Sequence, residues 1–225
     1  MIDIIVCFCD KDYNLINNFI KSINLSIDYN LIFVDDRLDK SVDLRPLLKD
    51  FDYYIPPEKL GTFEARRFGF NKSKNDFVWF VDIDDELLDF KFVNADFDIY
   101  IYNFIVNTIP ETEYKNAVFI NPDNEIKDRL FEYGLWNKIF KRSVLKKVFE
   151  KIPFIKDLCF LDDTYLNKSF MFFARKILVD SQIIYNYKCK DGSAYRFVDH
   201  KESVNYLLDN CADFMKKYLL KLFLE

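Results

Sequence analysis

The chain has 225 residues, 50% of them hydrophobic and 18% aromatic, so it can bury one sizeable core and is not an intrinsically disordered protein. Its 32 basic and 37 acidic residues give a net charge of -5. No basic block occurs, which argues against a protein that binds nucleic acid mainly by electrostatics. Only 4 glycines are present, which excludes a glycine-rich loop that cradles phosphate.

The class of protein is further restricted by its cysteines, its histidine and the length of its apolar runs. The 5 cysteines include no Cys-x-x-Cys pair, so they suggest neither a disulfide framework nor a zinc site, and Cys7 and Cys9 are expected to be buried thiols. His200 is the only histidine, which argues against histidine-based triads and metal clusters. Because neither a signal peptide nor an apolar run of about 18 residues is found, we expect a soluble, cytoplasmic protein without a transmembrane helix.

Strands and helices alternate through residues 1–85, which predicts parallel strands joined by helical crossovers. Asp10 and Asp12 are predicted to cap the first helix, and Thr62 is predicted to cap the helix that carries Arg66 and Arg67. Apolar periodicity predicts strands at 2–8, 31–34, 53–55 and 77–81, and helices at 15–23, 44–48 and 62–73.

The pattern changes after residue 85, where we expect the sheet to become mixed. A helix is predicted after a cap at Ser143, a second one begins at Leu161, and an apolar stripe marks a C-terminal amphipathic helix. Predicted strands cover residues 97–106 and 118–120, with edge strands at 177–179 and 183–187. The predicted fold class is therefore α/β, with a mostly parallel sheet flanked by helices.

Carboxylates follow two of the predicted buried strands. Asp82, Asp84 and Asp85 come directly after the apolar run at residues 77–81, and Asp36 ends the second strand. Ligands of open α/β sheets bind at the carboxyl ends of strands, and hard divalent cations choose oxygen ligands. The alternative for such an acidic turn is a solvated loop without a ligand.

Several motifs in chain order resemble those of inverting glycosyltransferases with the GT-A fold, a large family of bacterial-type nucleotide-sugar enzymes with a DxD motif. The resemblance extends over about residues 2–195 and implies a Rossmann-like sheet. The motifs are Ile4-Ile5-Val6 with Asp10, Phe33-Val34-Asp35-Asp36, Ala65-Arg66-Arg67, Asp82-Ile83-Asp84-Asp85, Trp136-Asn137-Lys138, Asp162-Asp163-Thr164 and the Tyr-rich segment from Tyr185 to Ser193.

The resemblance implies a single domain over residues 1–225. Residues 1–106 would form the nucleotide-sugar-binding half, residues 107–198 the acceptor and catalytic half, and residues 199–225 the C-terminal helix. The implied reaction moves a sugar from a nucleotide-diphosphate sugar, with a UDP-sugar favoured, to a hydroxyl of a saccharide or glycoconjugate. Asp163 would be the general base, and the adjacent Asp162 would raise the pKa of the pair.

Other site residues follow from the same resemblance. Mn²⁺ or Mg²⁺ would be held by Asp82, Asp84 and Asp85 and would stabilise the leaving diphosphate. Trp136 and Lys138, with Asp162, would contact the acceptor; core packing is the alternative for the tryptophan. The donor would contact Cys7, Phe8, Cys9, Asp36, Arg66, Asp82 and Asp84.

The chain also departs from the family pattern. Cys7, Cys9 and Asp10 replace the usual proline or threonine, aromatic residue and asparagine, and Arg37-Leu38 replaces a Gly-Ser turn. Two alternative functions stay open: an inactive nucleotide-binding protein of the same fold and an aspartyl-phosphate phosphatase. The C-terminal helix is predicted to dock on the core, with a homodimer seam or a peripheral membrane contact as alternatives.

Overall fold

A ten-stranded mixed sheet runs through the part of the chain that the structure describes. The structure is a computed structural model and describes residues 1–10, 12–110, 114–130, 134–158, 161–188, 207–211 and 216. The strands are β1 (Ile2–Phe8), β2 (Tyr29–Asp35), β3 (Asp52–Tyr54), β4 (Phe77–Asp82), β5 (Glu86–Leu87), β6 (Ile99–Val106), β7 (Ile109–Pro110), β8 (Ala117–Ile120), β9 (Lys138–Lys141) and β10 (Lys176–Tyr187). The helices are α1 (Ile16–Ser22), α2 (Thr62–Lys72), α3 (Asn124–Arg129), α4 (Arg142–Lys151) and α5 (Asp162–Phe173).

The first half of the sheet is parallel, as predicted. The strand order is β3-β2-β1-β4-β9-β6-β10-β5, with β7 added on β6 and β8 on β10. Strand β1 pairs in parallel with β2 on one side and with β4 on the other. The carboxyl ends of these three strands therefore meet at one edge of the sheet, which we call the carboxyl edge.

The sheet becomes mixed at β4, which confirms the predicted change of pattern. Strand β9 lies between β4 and β6 and is antiparallel to both. The predicted edge strands at 177–179 and 183–187 are one strand, β10, which pairs with β6 on one side and with β8 and β5 on the other. The prediction of edge strands was wrong, because the apolar pattern of a strand indicates which of its faces is buried and does not indicate its position in the sheet.

Helices cover both faces of the sheet and produce two hydrophobic cores. On β4, Val78 and Phe80 point into the core shared with α2, α4 and α5. Trp79 and Val81 point into the other core, which contains α1 and the segment around Phe90. Strand β4 is thus buried on both faces, as its continuous apolar run predicted.

The predicted helix caps agree less well with the structure than the elements predicted from apolar periodicity. Thr62 and Ser143 lie inside the helices they were expected to cap, because α2 and α4 begin at Thr62 and Arg142. Asp12 precedes a short 3-10 turn without capping it, since its carboxylate accepts hydrogen bonds from Cys9. Residues 44–48, predicted to be a helix, form turns.

The predicted C-terminal helix lies largely outside the described residues. Residues 207–210 are helical, and Leu207 and Cys211 are buried in the core that contains α5, which agrees with docking on the core. Within the described ranges no helix has both the length and the hydropathy needed to span a membrane.

Candidate active site

A cavity of about 190 Å³ opens at the carboxyl edge of the sheet. It brings together six of the predicted donor-site residues, because the ends of β1, β2 and β4 are neighbours in the sheet. Asp12, Thr62 and Ala65 also line it, and the sequence did not single them out for this site. The lining residues are Cys7, Phe8, Cys9, Asp12, Asp36, Thr62, Ala65, Asp82, Ile83 and Asp84.

The two cysteines at the end of β1 are half-buried and face this cavity, whereas the sequence predicted buried thiols. Burial is the main reason that the pKa of Cys7 is raised, and the neighbouring Arg66 opposes the rise. The Cys9 thiol lies 3.0 Å from a carboxylate oxygen of Asp12. Thiol groups therefore line the cavity where the family pattern has a proline or threonine and an aromatic residue.

Asp36 joins the end of β2 to the loop that leads into α2. Its two carboxylate oxygens accept hydrogen bonds from the amides of Leu60 at 2.7 Å and Gly61 at 2.9 Å. Burial raises the pKa of Asp36, and these two amide donors offset only part of the rise. Each oxygen keeps a second lone pair, so Asp36 can still accept a hydrogen bond from a group in the cavity.

The turn after β2 is stabilised by charged side chains in place of glycine. The buried Arg37 guanidinium donates to both oxygens of Asp35 at 2.9 and 2.8 Å. Burial alone would raise the pKa of Asp35, but hydrogen bonds from Arg37, Lys40 and Tyr53 lower it to about 2. Asp10 accepts hydrogen bonds from the backbone amides at residues 38 and 39, which fixes the turn against β1.

Arg66 on α2 connects the acidic end of β4 with the start of α5. Its guanidinium donates to Asp82 at 3.0 Å and also to Asp162 and Asp163. The side chain is only 6% exposed. Burial alone would lower the pKa of Arg66, but the three carboxylates raise it above its ordinary value. The arginine is therefore engaged by carboxylates in this structure, whereas the resemblance implied that it would meet a phosphate of the donor or help to hold the base loop.

Asp162 and Asp163 occupy the first turn of α5, where the helix dipole favours negative charge. Leu161 precedes them in a left-handed conformation, with φ of 60°, and turns the chain into the helix. Burial is the main reason that the pKa of Asp163 is raised to about 7; Arg66 opposes the rise, and Asp162 and Asp82 add to it. Asp163 can therefore exchange a proton near neutral pH.

The acidic segment after β4 divides into two parts. Asp84 is exposed and lines the cavity together with Asp82. Asp85 is buried and accepts hydrogen bonds from the Tyr185 hydroxyl and the Lys188 amide, both at 2.7 Å. Burial raises the pKa of Asp85 to about 8, and the Asp82 carboxylate adds to the rise. The structure thus does not bring Asp85 into the cavity with its two neighbours.

The carboxylate oxygens at the cavity are suitable ligands for a hard divalent cation whose other ligands are phosphate oxygens. Among the described residues, no group of three or more His, Cys, Asp or Glu side chains is placed to hold a metal alone. Four carboxylates line the cavity, and none of its described lining residues is basic. A diphosphate would be repelled here unless a cation accompanied it. Asp82 and Asp84 are the residues that would hold such a cation.

The predicted acceptor residues are more buried than the cavity residues. The Trp136 indole stacks on Tyr185 and Tyr187, at ring centroid distances of 4.9 and 5.6 Å. Lys138 is 1% exposed, and its ammonium donates to the Gly134 carbonyl and the Asn137 side chain. In this structure the lysine is therefore not accessible to an acceptor, whereas Trp136 is half-buried.

Tyr185 supports the site from β10. Its hydroxyl donates to Asp85 and accepts a hydrogen bond from the Asp82 amide at 3.2 Å. The sequence marked this tyrosine only as part of an aromatic closing strand. The sequence could have indicated this role, because the hydroxyl of a tyrosine on a buried strand needs a polar partner.

The chain is similar in fold to several solved glycosyltransferase structures. TarS of S. aureus superposes with a TM-score of 0.65 and 17% identity over 99% of this chain and 42% of the TarS chain. A TarS fragment in complex with UDP-GlcNAc gives 0.66 and 16% identity, with 99% of this chain and 71% of the fragment covered. GalNAc-T7 with UDP, GalNAc and Mn²⁺ gives 0.60 and 11% identity over 92% of this chain and 48% of that one. This chain thus spans less than half of the full TarS and GalNAc-T7 chains.

A comparison with curated protein sequences gives no match. Residues 3–161 match glycosyl transferase family 2, and they include all but the first residue of β1, strands β2 to β9, the cavity and the Arg66 helix. The match extends over more than half of the chain and agrees with the mixed sheet and its acidic carboxyl edge. The chain therefore belongs to glycosyl transferase family 2 and has the GT-A fold.

Proposed function

We propose that this chain transfers a sugar from a nucleotide-diphosphate sugar to an acceptor hydroxyl, with inversion at the anomeric carbon and with a divalent cation. The observation that carries the proposal is the Arg66 cluster, in which Asp82 at the cavity and Asp163 on α5 bond to one guanidinium. A leaving-group site and a proton acceptor near neutral pH are thereby held close together.

The donor would occupy the cavity at the carboxyl edge. Its base would lie near Cys7, Phe8, Cys9 and Asp36, all of which line the cavity. Its diphosphate would lie near Asp82 and Asp84, which would hold Mn²⁺ or Mg²⁺. The cation would stabilise negative charge on the departing nucleoside diphosphate. A UDP-sugar is the favoured donor, in keeping with the UDP-GlcNAc and UDP bound in the TarS and GalNAc-T7 structures.

Asp163 would remove the proton from the acceptor hydroxyl. The acceptor oxygen then forms a bond to the anomeric carbon, and the bond from that carbon to the diphosphate oxygen breaks on the opposite face. The electron pair leaves with the nucleoside diphosphate, and a single displacement inverts the anomeric centre. Arg66 would keep Asp163 at the reacting face and limit the rise of its pKa.

The acceptor would be a saccharide or glycoconjugate. Trp136 is the candidate for a ring platform, because its indole is already aligned by Tyr185 and Tyr187. Asp162 would accept a hydrogen bond from a second hydroxyl, although it is 7% exposed and bonded to Arg66. Lys138 would take part only if its buried hydrogen bonds to residues 134 and 137 were broken.

The test compares Asp163→Asn with the unchanged protein in a transfer assay over a panel of nucleotide-sugars with Mn²⁺. Without its base the variant should lose about 10²–10⁴-fold in kcat. Donor binding, measured as a thermal shift with each nucleotide-sugar, should be retained because Asp163 does not line the donor cavity.

The matched control is Asp76→Asn, an exposed carboxylate next to the start of β4 at the opposite edge of the sheet. It should leave both readouts unchanged. Transfer at the normal rate by Asp163→Asn would refute the base assignment. A thermal shift without transfer in the unchanged protein would favour the inactive nucleotide-binding alternative.

A further inference from the structure

A second cavity, of about 450 Å³, lies at the edge of the sheet opposite to the donor cavity. We call it the amino-edge pocket, because the amino ends of β6 and β10 border it where Ile99 pairs with Ile177. Its volume is in the range of small-molecule sites. Polar residues of its lining are Asp96, Asp98, Lys141, Lys147, Arg175 and Lys176.

The amino-edge pocket is separate from the donor cavity. Lys141 in its wall pairs with Phe77 at the start of β4, whereas Asp82 ends the same strand. A strand of this length spans roughly 20 Å. Helix α5 runs between the two places, with Asp163 in its first turn and Phe173, which lines the pocket, at its last residue.

Positive charge exceeds negative charge in the pocket wall. Both Lys141 and Lys176 pair with Asp96, each at 2.5 Å. The Asp98 carboxylate accepts hydrogen bonds from two backbone amides of the wall, at 2.7 and 3.0 Å. Lys147 forms no ion pair with any residue that the structure describes, and Arg175 is bonded only to carbonyls there.

A fifth cation lies close enough to Arg175 and Asp98 to interact with both electrostatically, although it does not line the pocket. Lys127 on α3 is 8% exposed. Its pKa is lowered by burial and by the positive charge of Arg175, and Asp98 offsets only part of the effect. The ammonium forms no hydrogen bond with a side chain or carbonyl of the described residues. Lys127 therefore adds positive potential close to Arg175, and a bound anion would be attracted by both cations.

The backbone adds to the positive potential. Helix α4 has ten residues and begins at the pocket without an acidic residue in its first turn and without a side-chain cap. The Arg142 amide at its start already donates to the Asp76 carbonyl at 2.7 Å, so the contribution of the helix to anion binding is its dipole. Val144 and Phe173 supply an apolar wall beside the cations, which suits a ligand that is only partly charged.

We propose that the amino-edge pocket is a binding site for a phosphate-bearing ligand, distinct from the donor site. Lys147 and Arg175, which form no ion pair with any described residue, supply the charge together with the nearby Lys127, and the dipole of α4 adds to it. The site holds its ligand about one strand length from the reacting groups, so it serves binding and not the transfer step. It does not depend on the proposed donor chemistry.

The test is calorimetric titration of the full chain with sodium tripolyphosphate in the presence of EDTA, where the carboxylate-lined donor cavity repels the probe. Lys147→Glu should weaken binding by about tenfold or more, because a charge-assisted contact becomes a repulsion. Lys146→Glu is the matched control on the same helix, since Lys146 is exposed, lies outside the pocket lining and pairs with Glu150. This control should bind the probe as the unchanged protein does.

A second variant, Lys176→Gln, should also weaken binding while leaving Lys141 to neutralise Asp96. Equal binding by Lys147→Glu and Lys146→Glu, or no binding of tripolyphosphate at millimolar concentration, would overturn the proposal. Sedimentation with phosphatidylglycerol vesicles, compared with phosphatidylcholine vesicles, identifies the source of the phosphate. Lys147-dependent sedimentation supports a lipid headgroup, and tripolyphosphate binding without sedimentation supports a soluble phosphorylated ligand.

Discussion

Arg66 shows how much of the site's chemistry depends on a single buried residue. A guanidinium at this position was expected to meet phosphate or to help hold the base loop, and in the structure it bonds to Asp82, Asp162 and Asp163. Three carboxylates this close would repel one another without a cation between them. The arginine thus makes the acidic cluster compatible with folding and holds the pKa of Asp163 below the value that burial would otherwise give it.

The pH dependence of transfer follows from this cluster. Asp163 must be deprotonated to act as a base, and its raised pKa of about 7 means that kcat should increase as the pH rises through about 7. In Arg66→Met the opposing cation is lost, so the protonated form is favoured and the acid limb should move to higher pH. The measurement is kcat against pH, with Arg45→Met, which is exposed and distant from the cavity, as control. An acid limb that stays in place would contradict the role given to Arg66.

At the scale of elements, the approach of α2 to the sheet is fixed by the loop before it. Gly61 donates its amide to Asp36 and has φ of +84°, a conformation that residues with a Cβ rarely adopt. A Cβ on Gly61 would lie 2.7 Å from the Cα of Asp157, so the neighbouring backbone would have to move. The loop therefore positions both the helix that carries Arg66 and the carboxylate that lines the cavity.

Gly61→Ala should accordingly destabilise the protein by about 2 kcal/mol or more, which corresponds to a fall in Tm of at least about 4 °C for a chain of this size. Thermal unfolding followed by circular dichroism measures the change. Asn71→Ala, at an exposed position of α2, serves as control and should change stability by no more than about 0.5 kcal/mol. Similar Tm values for the two variants would show that the loop tolerates the side chain.

At the scale of the whole molecule, the sheet separates two hydrophobic cores. Strand β9 is antiparallel to β4 and β6, and it connects the strand that ends at the donor cavity with the core that contains α4 and α5. Phe140 on β9 is fully buried and packs against Phe80 and Phe170, at ring centroid distances of 5.9 and 4.9 Å. Membership of glycosyl transferase family 2 removes the phosphatase alternative, whose acidic motif would have to follow the first strand. In this chain the acidic motif follows β4.

Phe140→Ala should therefore lower the free energy of unfolding by about 3–5 kcal/mol, since it leaves a cavity between strand and helix. Urea denaturation measures the loss as a lower midpoint at an unchanged slope. Phe154→Ala is the matched control, because that ring is 58% exposed and its removal should cost no more than about 0.5 kcal/mol. Equal midpoints for the two variants would mean that β9 does not support the core.

The sequence alone predicted the larger strands and helices of residues 1–85, the parallel first half of the sheet and the family. Strand burial and helical faces follow from the spacing of apolar residues, which is a local property. It also identified Asp36, Asp82 and Asp84, because carboxylates directly after buried strands must emerge at the same edge. The order of the motifs along the chain indicated the family, and the family match extends over residues 3–161.

Only the tertiary structure decided which charged groups meet. Arg66 and Asp163 are 97 residues apart in the chain, so no local pattern predicts their contact. No local pattern predicts that Asp85 bonds to Tyr185 outside the cavity. Nor does one predict that Lys138 is buried with its ammonium bonded to Asn137. The amino-edge pocket arises where β9, β10 and α4 come together. Electrostatic partnership depends on distance in space, and that distance is set by sheet order and packing.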